Sequence, residues 1–345
     1  MKKIFIAVLA VAALASCATD EIVSTPKGAA IGFGDTFVDN AVRASVADYD
    51  ANNLTSFGVY GSVEKDGSKG LIFNNEAVTG QKGNFTYTNV QYWVPSASYY
   101  FVAIAPHAGA WTYTLSNGQD AEDGTISFNN TTAAQNQDLL YAYSARQTPG
   151  SITTSPESVA FTFNHILSRV KFTFVNGFDA LNKITLKVTD VHITDSHETA
   201  NLVVTNGVLA DNWSAQNGEL DVNFNAAGTD AIPGNDPDAT GENEAETEHH
   251  YLIPDANAAD AATKTTYEVT FKVELIQAGV TVGNYDRTAT VEVNLQKGCS
   301  YDITATLNAT NVSPEGEELQ PIVFDVHTVN GWATGTVPGA NIPVN

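Results

Sequence analysis

The feature that most restricts this chain is a period of two, repeated along its length in short runs that end at glycine turns. Arg169-Val170-Lys171-Phe172-Thr173-Phe174 alternates polar and apolar side chains, and Phe161, Phe163, His165 and Leu167 share one parity just before it. Alternate residues of an extended strand face opposite sides, so each run reads as a strand with one buried face. Further runs lie at Phe57–Tyr60, Gln91–Val94, Tyr99–Ala105, Ser158–Phe163, Ile184–Val188 and Val203–Val208. Tyr267–Ile276, Ala289–Leu295, Tyr301–Leu307 and Ile322–Val329 follow. Between them stand Asp66-Gly67, Asn117-Gly118, Asp123-Gly124, Asn206-Gly207, Asn217-Gly218 and Asn330-Gly331, the residue pairs that favour tight turns with positive φ. No segment sustains a long 3.6-residue apolar period. The pattern predicts an all-β protein of two tandem β-sandwich domains with Greek-key connections rather than βαβ units.

A strong strand gives way to a turn at Val175-Asn176-Gly177-Phe178-Asp179-Ala180, which sets the expected boundary between a domain at 44–178 and a second at 179–332. Residues 225–248 are poor in apolar side chains and rich in Asp, Glu, Gly and Pro, and are expected to form an acidic loop in the second domain.

The amino terminus carries a different signal. Met1-Lys2-Lys3 is followed by an apolar run from Ile4 to Ala15, then Ser16-Cys17 and the polar exit Ala18-Thr19-Asp20-Glu21. The run is shorter than the roughly 20 residues a membrane-spanning helix needs. A basic head, a short apolar stretch and small residues before a cut describe a signal peptide over residues 1–16. Leu14-Ala15-Ser16-Cys17 fits a lipobox, which makes Cys17 the expected lipid attachment site and a membrane its partner. Only one other cysteine exists, Cys299, so no internal disulfide is available once Cys17 is acylated. Cys299 is expected as a small core or strand-end residue.

Charge narrows the partners. The formal net charge is −23, with only 16 Lys and Arg scattered along 345 residues. Nucleic acid is excluded, because phosphate recognition needs clustered basic side chains. No G-x-S-x-G, H-E-x-x-H, calcium-loop or phosphate-loop pattern occurs, so no catalytic residue, metal or cofactor is assigned. Asp230, Asp236, Asp238, Glu242, Glu244 and Glu246 lack the regular ligand spacing of a calcium loop, and His249 and His250 would face opposite sides of a strand. His165 is expected as a satisfied core histidine. Trp93, Trp111, Trp213 and Trp332 are expected as packing residues, the alternative being loop aromatics at Trp111 and Trp213 that bind a surface ligand.

Several ordered motifs carry a family resemblance. Asp138-Leu139-Leu140-Tyr141-Ala142, then Phe163-x-His165-x-Leu167-Ser168-Arg169-Val170, is similar to a pair of segments found in fimbrillins. Tyr92-Trp93-Val94-Pro95 with Phe101-x-Ala103-x-Ala105-Pro106, Leu295-x-x-Gly298-x-x-Tyr301, and Phe324-x-Val326 with Trp332 fit the same order. Fimbrillins are lipoprotein precursors of the type V pili of Bacteroidales-type bacteria. The resemblance implies two sandwich domains of transthyretin-like topology that polymerise by strand exchange. An Arg-specific surface protease would cut after Arg43, so that the mature chain begins at Ala44 and the propeptide, residues 17–43, is discarded with its lipid. Removing the first strand, with Ile31, Phe33 and Phe37, would open a groove for an extended strand of a neighbouring pilus subunit. The tail at 333–345, with Val337, Ile342 and Val344, is a candidate donor despite Pro338 and Pro343; the alternative is a terminus that simply docks. A competing class is a non-polymerising outer-membrane lipoprotein that binds glycans or host proteins. Either reading leaves room for a host or bacterial surface ligand.

Overall fold

A computed structural model of the chain describes residues 29–38, 53–130, 137–148, 158–224, 243–256, 262–313 and 319–329. In chain order the strands begin with β1 (Phe33–Val38), β2 (Ser56–Lys65), β3 (Ser68–Gln81), β4 (Asn84–Thr86) and β5 (Ser98–Ala105). Next come β6 (Trp111–Leu115), β7 (Gly124–Asn129), β8 (Leu140–Gln147), β9 (Val159–His165) and β10 (Ser168–Asn176). They continue with β11 (Ile184–Ser196), β12 (Thr199–Thr205), β13 (Val208–Leu209), β14 (Ser214–Asn217), β15 (Leu220–Asn223) and β16 (Glu244–Glu246). β17 (His250–Leu252), β18 (Thr265–Gln277), β19 (Val280–Val293), β20 (Ser300–Leu307) and β21 (Phe324–Val329) complete the set, with a 3-10 turn at Ala180–Asn182 and one α-helical turn, α1 (Ala309–Val312). Among the described residues no helix is long and apolar enough to cross a membrane.

The strands form four sheets, ordered β1-β9-β8-β5-β2-β3-β4; β13-β12-β7-β6 with β14 on β12; β16-β10-β20-β21 with β17 on β10; and β15-β11-β18-β19. Strand alternation then places the cores. The first sheet is apolar on both faces: Phe101 and Ala103 enter one core with Phe57, Phe161 and Phe163, whereas Val102 and Ile104 enter another. That second core is closed by the second sheet through Trp111, Ile126, Phe128 and Leu202. The third and fourth sheets enclose a third core built on Val170, Phe172, Phe174, Leu186, Phe271 and Ile303. The all-β expectation therefore holds, in an arrangement of several packed sheets.

The sheets do not divide at 178/179. β10, which lies before that point, pairs in parallel with β20 over Arg169–Asn176 and belongs to the third sheet. β12 to β14 lie after it, yet β12 pairs antiparallel with β7 from Thr199↔Asn129 to Val204↔Gly124. The physical reason is burial: Ala200, Leu202 and Val204 cover the second core, which β6 and β7 alone are too few to close. Hydrogen bonds join the two halves, Gly298 N–H to Leu167 O at 2.8 Å and the Trp213 indole N–H to Ile166 O at 2.9 Å. Residues 250–253 pass between cores, with Leu252 in the third and Tyr251 and Ile253 in the second.

Two further local expectations are revised. The expected acidic loop at 225–248 is in part a strand: Glu244–Glu246 pairs with β10, where Lys171 Nζ reaches Glu246 Oε1 at 2.6 Å. Residues 225–242 lie outside the described residues. The strand expected at Ala289–Leu295 begins nine residues earlier, at Val280, as the second arm of a hairpin with β18. Its turn, Ala278-Gly279, adopts φ of +52° and +80°, the same handedness as Asp66-Gly67 at +52° and +76°. Alanine gives no turn signal, and the free end of the hairpin extends past the core, so Val280 and Val282 stay exposed.

Candidate functional site

Among the segments singled out from sequence, β1 is the one whose placement is chemically informative. It lies at the edge of the first sheet, parallel to β9, with Phe33↔Val159, Thr36↔Phe161, Phe37↔Thr162 and Val38↔Phe163 in register. Its entry is held from the other side too. Ile31 N–H donates to Gln91 O at 2.8 Å, Trp93 N–H donates to Ala29 O at 3.0 Å, and Ala30 bridges Tyr92 antiparallel. On the β9 side Val159 N–H donates to Gly32 O at 2.7 Å. The segment Ala29–Phe33 therefore closes the seam between β9 and residues 87–93.

Side chains complete the closure. Ile31 is 1% exposed and Phe33 is 3% exposed. The Phe33 ring meets those of Tyr87, Phe73, Phe161, Phe101 and Phe57 at centroid distances of 5.3, 5.7, 5.9, 6.1 and 6.4 Å. Four of these contacts are edge-on and the one to Phe161 is stacked, both favourable geometries for aromatic quadrupoles. The Tyr87 hydroxyl donates to Ile31 O at 2.5 Å, and burial pushes its phenol above the ordinary value, which keeps it a donor. Gly34 allows the close approach, because a Cβ there would lie 2.4 Å from Ser158 Oγ. What this arrangement can do is mechanical rather than catalytic: a single strand plugs an aromatic cleft and completes its backbone pairing.

The structure brings Ile31 and Phe33 together in that plug, and the backbone of Phe37 continues the pairing with β9. Cys17, Arg43, Ala44, Val337, Ile342 and Val344 lie outside the described residues, as does Trp332. His165 is buried, with its Nδ1–H donating to Asp138 Oδ2 at 2.8 Å, which ties the start of β8 to the end of β9. Trp93, Trp111 and Trp213 are all buried, so the loop-aromatic alternative for Trp111 and Trp213 fails. Both indole N–H groups are spent internally, on Pro106 O and Ile166 O. Cys299 is buried and its thiol is pushed up by that burial, in keeping with a core role. No cluster of three or more His, Cys, Asp or Glu suited to a metal ion occurs among the described residues. Sequence reading missed the part of residues 87–91 as a second lip for β1. Gln91–Val94 reads as a strand run in the sequence, but nothing in that run shows that β1 is its neighbour.

Comparison with known proteins follows the same lines. A family model described as fimbrillin-like matches residues 43–332. A solved fimbrial protein from Bacteroides vulgatus is similar at 16% identity, over 89% of this chain and 100% of that one, with a TM-score of 0.60. A candidate cell adhesion protein from Bacteroides uniformis is similar at 16% identity, over 88% and 98%, with a TM-score of 0.48. No curated protein matches the sequence. At such identities the Bacteroides vulgatus likeness shows a shared fold.

Proposed function

The chain belongs to the fimbrillin-like family, a structural and not an enzymatic one, and from that premise we propose that it is a stalk or tip subunit of a cell-surface type V pilus. In this reading the precursor is exported as a lipoprotein held on the outer membrane through Cys17. An Arg-specific protease cuts after Arg43, and β1 leaves with the lipid. A strand from a neighbouring subunit then takes its place, with the tail at 333–345 as the candidate donor, and the assembled fibre supports adhesion.

The observation that carries this reading is the double attachment of β1. It is joined to the rest of the molecule by a few backbone hydrogen bonds and two deeply buried side chains, at the amino end of the chain and ahead of Arg43. Its loss would leave unpaired backbone groups on both lips and a cleft floored by aromatic rings. Such a cleft suits β-strand addition, in which main-chain bonds supply affinity and alternate side chains supply register. The direct experiment is treatment of purified precursor with an Arg-specific protease, followed by denaturing electrophoresis without boiling and by amino-terminal sequencing. A new terminus at Ala44 together with a ladder of detergent-resistant multimers is expected. A cut chain that remains monomeric at high concentration would refute assembly, and a surface-extracted chain beginning only at Cys17 would refute processing.

A further inference from the structure

The outer face of the second sheet presents a surface that strand exchange leaves unused. Positions of β6, β7 and β12 that point away from the core are Thr, Ser, Asn and Val, with no charge among them, although the chain carries a formal −23. Two polar rows cross the strands in register. Thr112, Ser127 and Asn201 form one, and Asn129, Thr199 and Asn217 form the next. An open cleft of about 440 Å³ lies over these rows, within the roughly 300–1,000 Å³ typical of small-ligand sites.

The rim of the cleft is irregular in a way that shapes it. β14 pairs with β12 through a register shift between Thr199 and Asn201, and Ala215 at that bulge has φ of +50°. Bulges and left-handed non-glycine residues gather at binding sites, where they re-aim neighbouring groups. Here the Asn217 amide donates to Ala215 O at 2.6 Å and fixes the rim. The side-chain amides of Asn129 and Asn201 make no hydrogen bond among the described residues, so their donors and acceptors face the cleft uncommitted.

The chemistry selects a ligand class. Each free amide, and each Thr or Ser hydroxyl beside it, both donates and accepts, which matches the hydroxyl groups of a sugar. No cationic side chain lines the cleft to attract an anion, and no carboxylate lines it to hold a cation. β7 and β12 are each paired on both sides, so a peptide strand could add only at the outer edge of β6 and not over the polar rows. Ala110 and Ala215 give the lining an apolar component. We infer that this cleft binds a neutral oligosaccharide, as an adhesive site carried on the body of the subunit and independent of the β1 seam.

The test uses the full chain without its lipid, titrated calorimetrically with neutral gluco-, manno- and galacto-tetraoses and with an oligogalacturonate as the anionic control. Binding of at least one neutral oligosaccharide is expected, with a dissociation constant of about 0.1–1 mM. Asn129→Ala and Asn201→Ala should each weaken it by about tenfold or more, and Ser127→Phe should abolish it by filling the floor, all with unchanged thermal melting. Asn129 is exposed, so its variant reports on binding even if another substitution disturbs the fold. Absence of neutral-sugar binding up to about 10 mM, tighter binding of the anionic oligomer, or binding by both alanine variants unchanged from that of the parent chain would each overturn the proposal. None of these results bears on multimer formation, which separates this site from the pilus reading.

Discussion

Replacing Phe33 by alanine isolates the contribution of the plug. The side chain is 3% exposed and lies among five aromatic rings within 6.4 Å. Truncating a buried Phe to Ala costs about 3–5 kcal/mol through lost transfer energy and the cavity left behind. Relaxation should recover little of this, because four of the lining rings, Phe57, Phe73, Phe101 and Phe161, are themselves at most 2% exposed and packed by other partners. Ring pairing contributes about 0.5–1.5 kcal/mol per pair beyond burial, but the five pairs share one ring and do not add. A loss near 4 kcal/mol is therefore expected, a large share of the roughly 5–15 kcal/mol that stabilises a domain. Urea titration followed by tryptophan fluorescence is a suitable assay, since Trp93 sits in the same core and its backbone N–H bonds to Ala29 O. With a slope of about 2 kcal/mol/M, the midpoint of the transition that Trp93 reports should fall by about 2 M. Leu181→Ala, at a side chain 87% exposed, should leave the midpoint unchanged. A shift below about 1 kcal/mol for Phe33→Ala would mean that β1 is not bound as its contacts require, and the plug argument would fall with it.

Three other perturbations probe separate parts of the fold. Burial, with a smaller repulsion from His249, lowers His250 from 6.5 to about 4, and neither ring nitrogen has a hydrogen-bond partner among the described residues. The unfolded chain takes up a proton near pH 6.5 that the folded chain refuses until about pH 4, so stability is full above that window and falls through it as pH drops. The loss is about 3 kcal/mol at 1.36 kcal/mol per pH unit, and His250→Leu should flatten the dependence of the urea midpoint between pH 7 and pH 4; an unchanged slope would contradict it. Gly80→Ala should lower the melting temperature by an amount equivalent to about 2 kcal/mol or more, because φ is +146° and the new Cβ would lie 2.2 Å from Asn84 O. Asp138→Ala should cost about 1–3 kcal/mol by removing its buried hydrogen bond with His165, whereas Asp138→Asn retains an acceptor and should cost less; equal losses in urea titration would show that the hydrogen bond is not what matters.

Much of the local structure was legible because it is written in neighbours. The alternation Phe161-x-Phe163-x-His165 decided which side chains enter the core, and β9 shows that alternation in its burial. Asn206-Gly207 and Asp66-Gly67 decided where hairpins turn, because only certain residues tolerate positive φ. The plug was legible in part: Ile31 and Phe33 announced a strand with a buried face, and a family pattern suggested a role for that strand. Its second lip at residues 87–91 was not, since a hydrogen bond from the Tyr87 hydroxyl to Ile31 O and one from Ile31 N–H to Gln91 O leave no mark on the pattern.

Partner choice was decided only in three dimensions. Alternation fixes the face of a strand and is silent about its neighbour, so β1 could not be matched to β9 across more than 100 residues. Nor could β12 be seen to return to β7 past the apparent boundary, or β10 to pair with β20 rather than with its predecessor. Those choices follow from which apolar faces remain to be covered once every other strand is placed. The sequence by itself thus determined an all-β chain, its strand faces and its turns, through backbone geometry that acts over a few residues. The tertiary structure alone decided which strands share a sheet, which segment closes the aromatic cleft, and where polar rows line up across three strands, because burial and register are properties of the assembled layers.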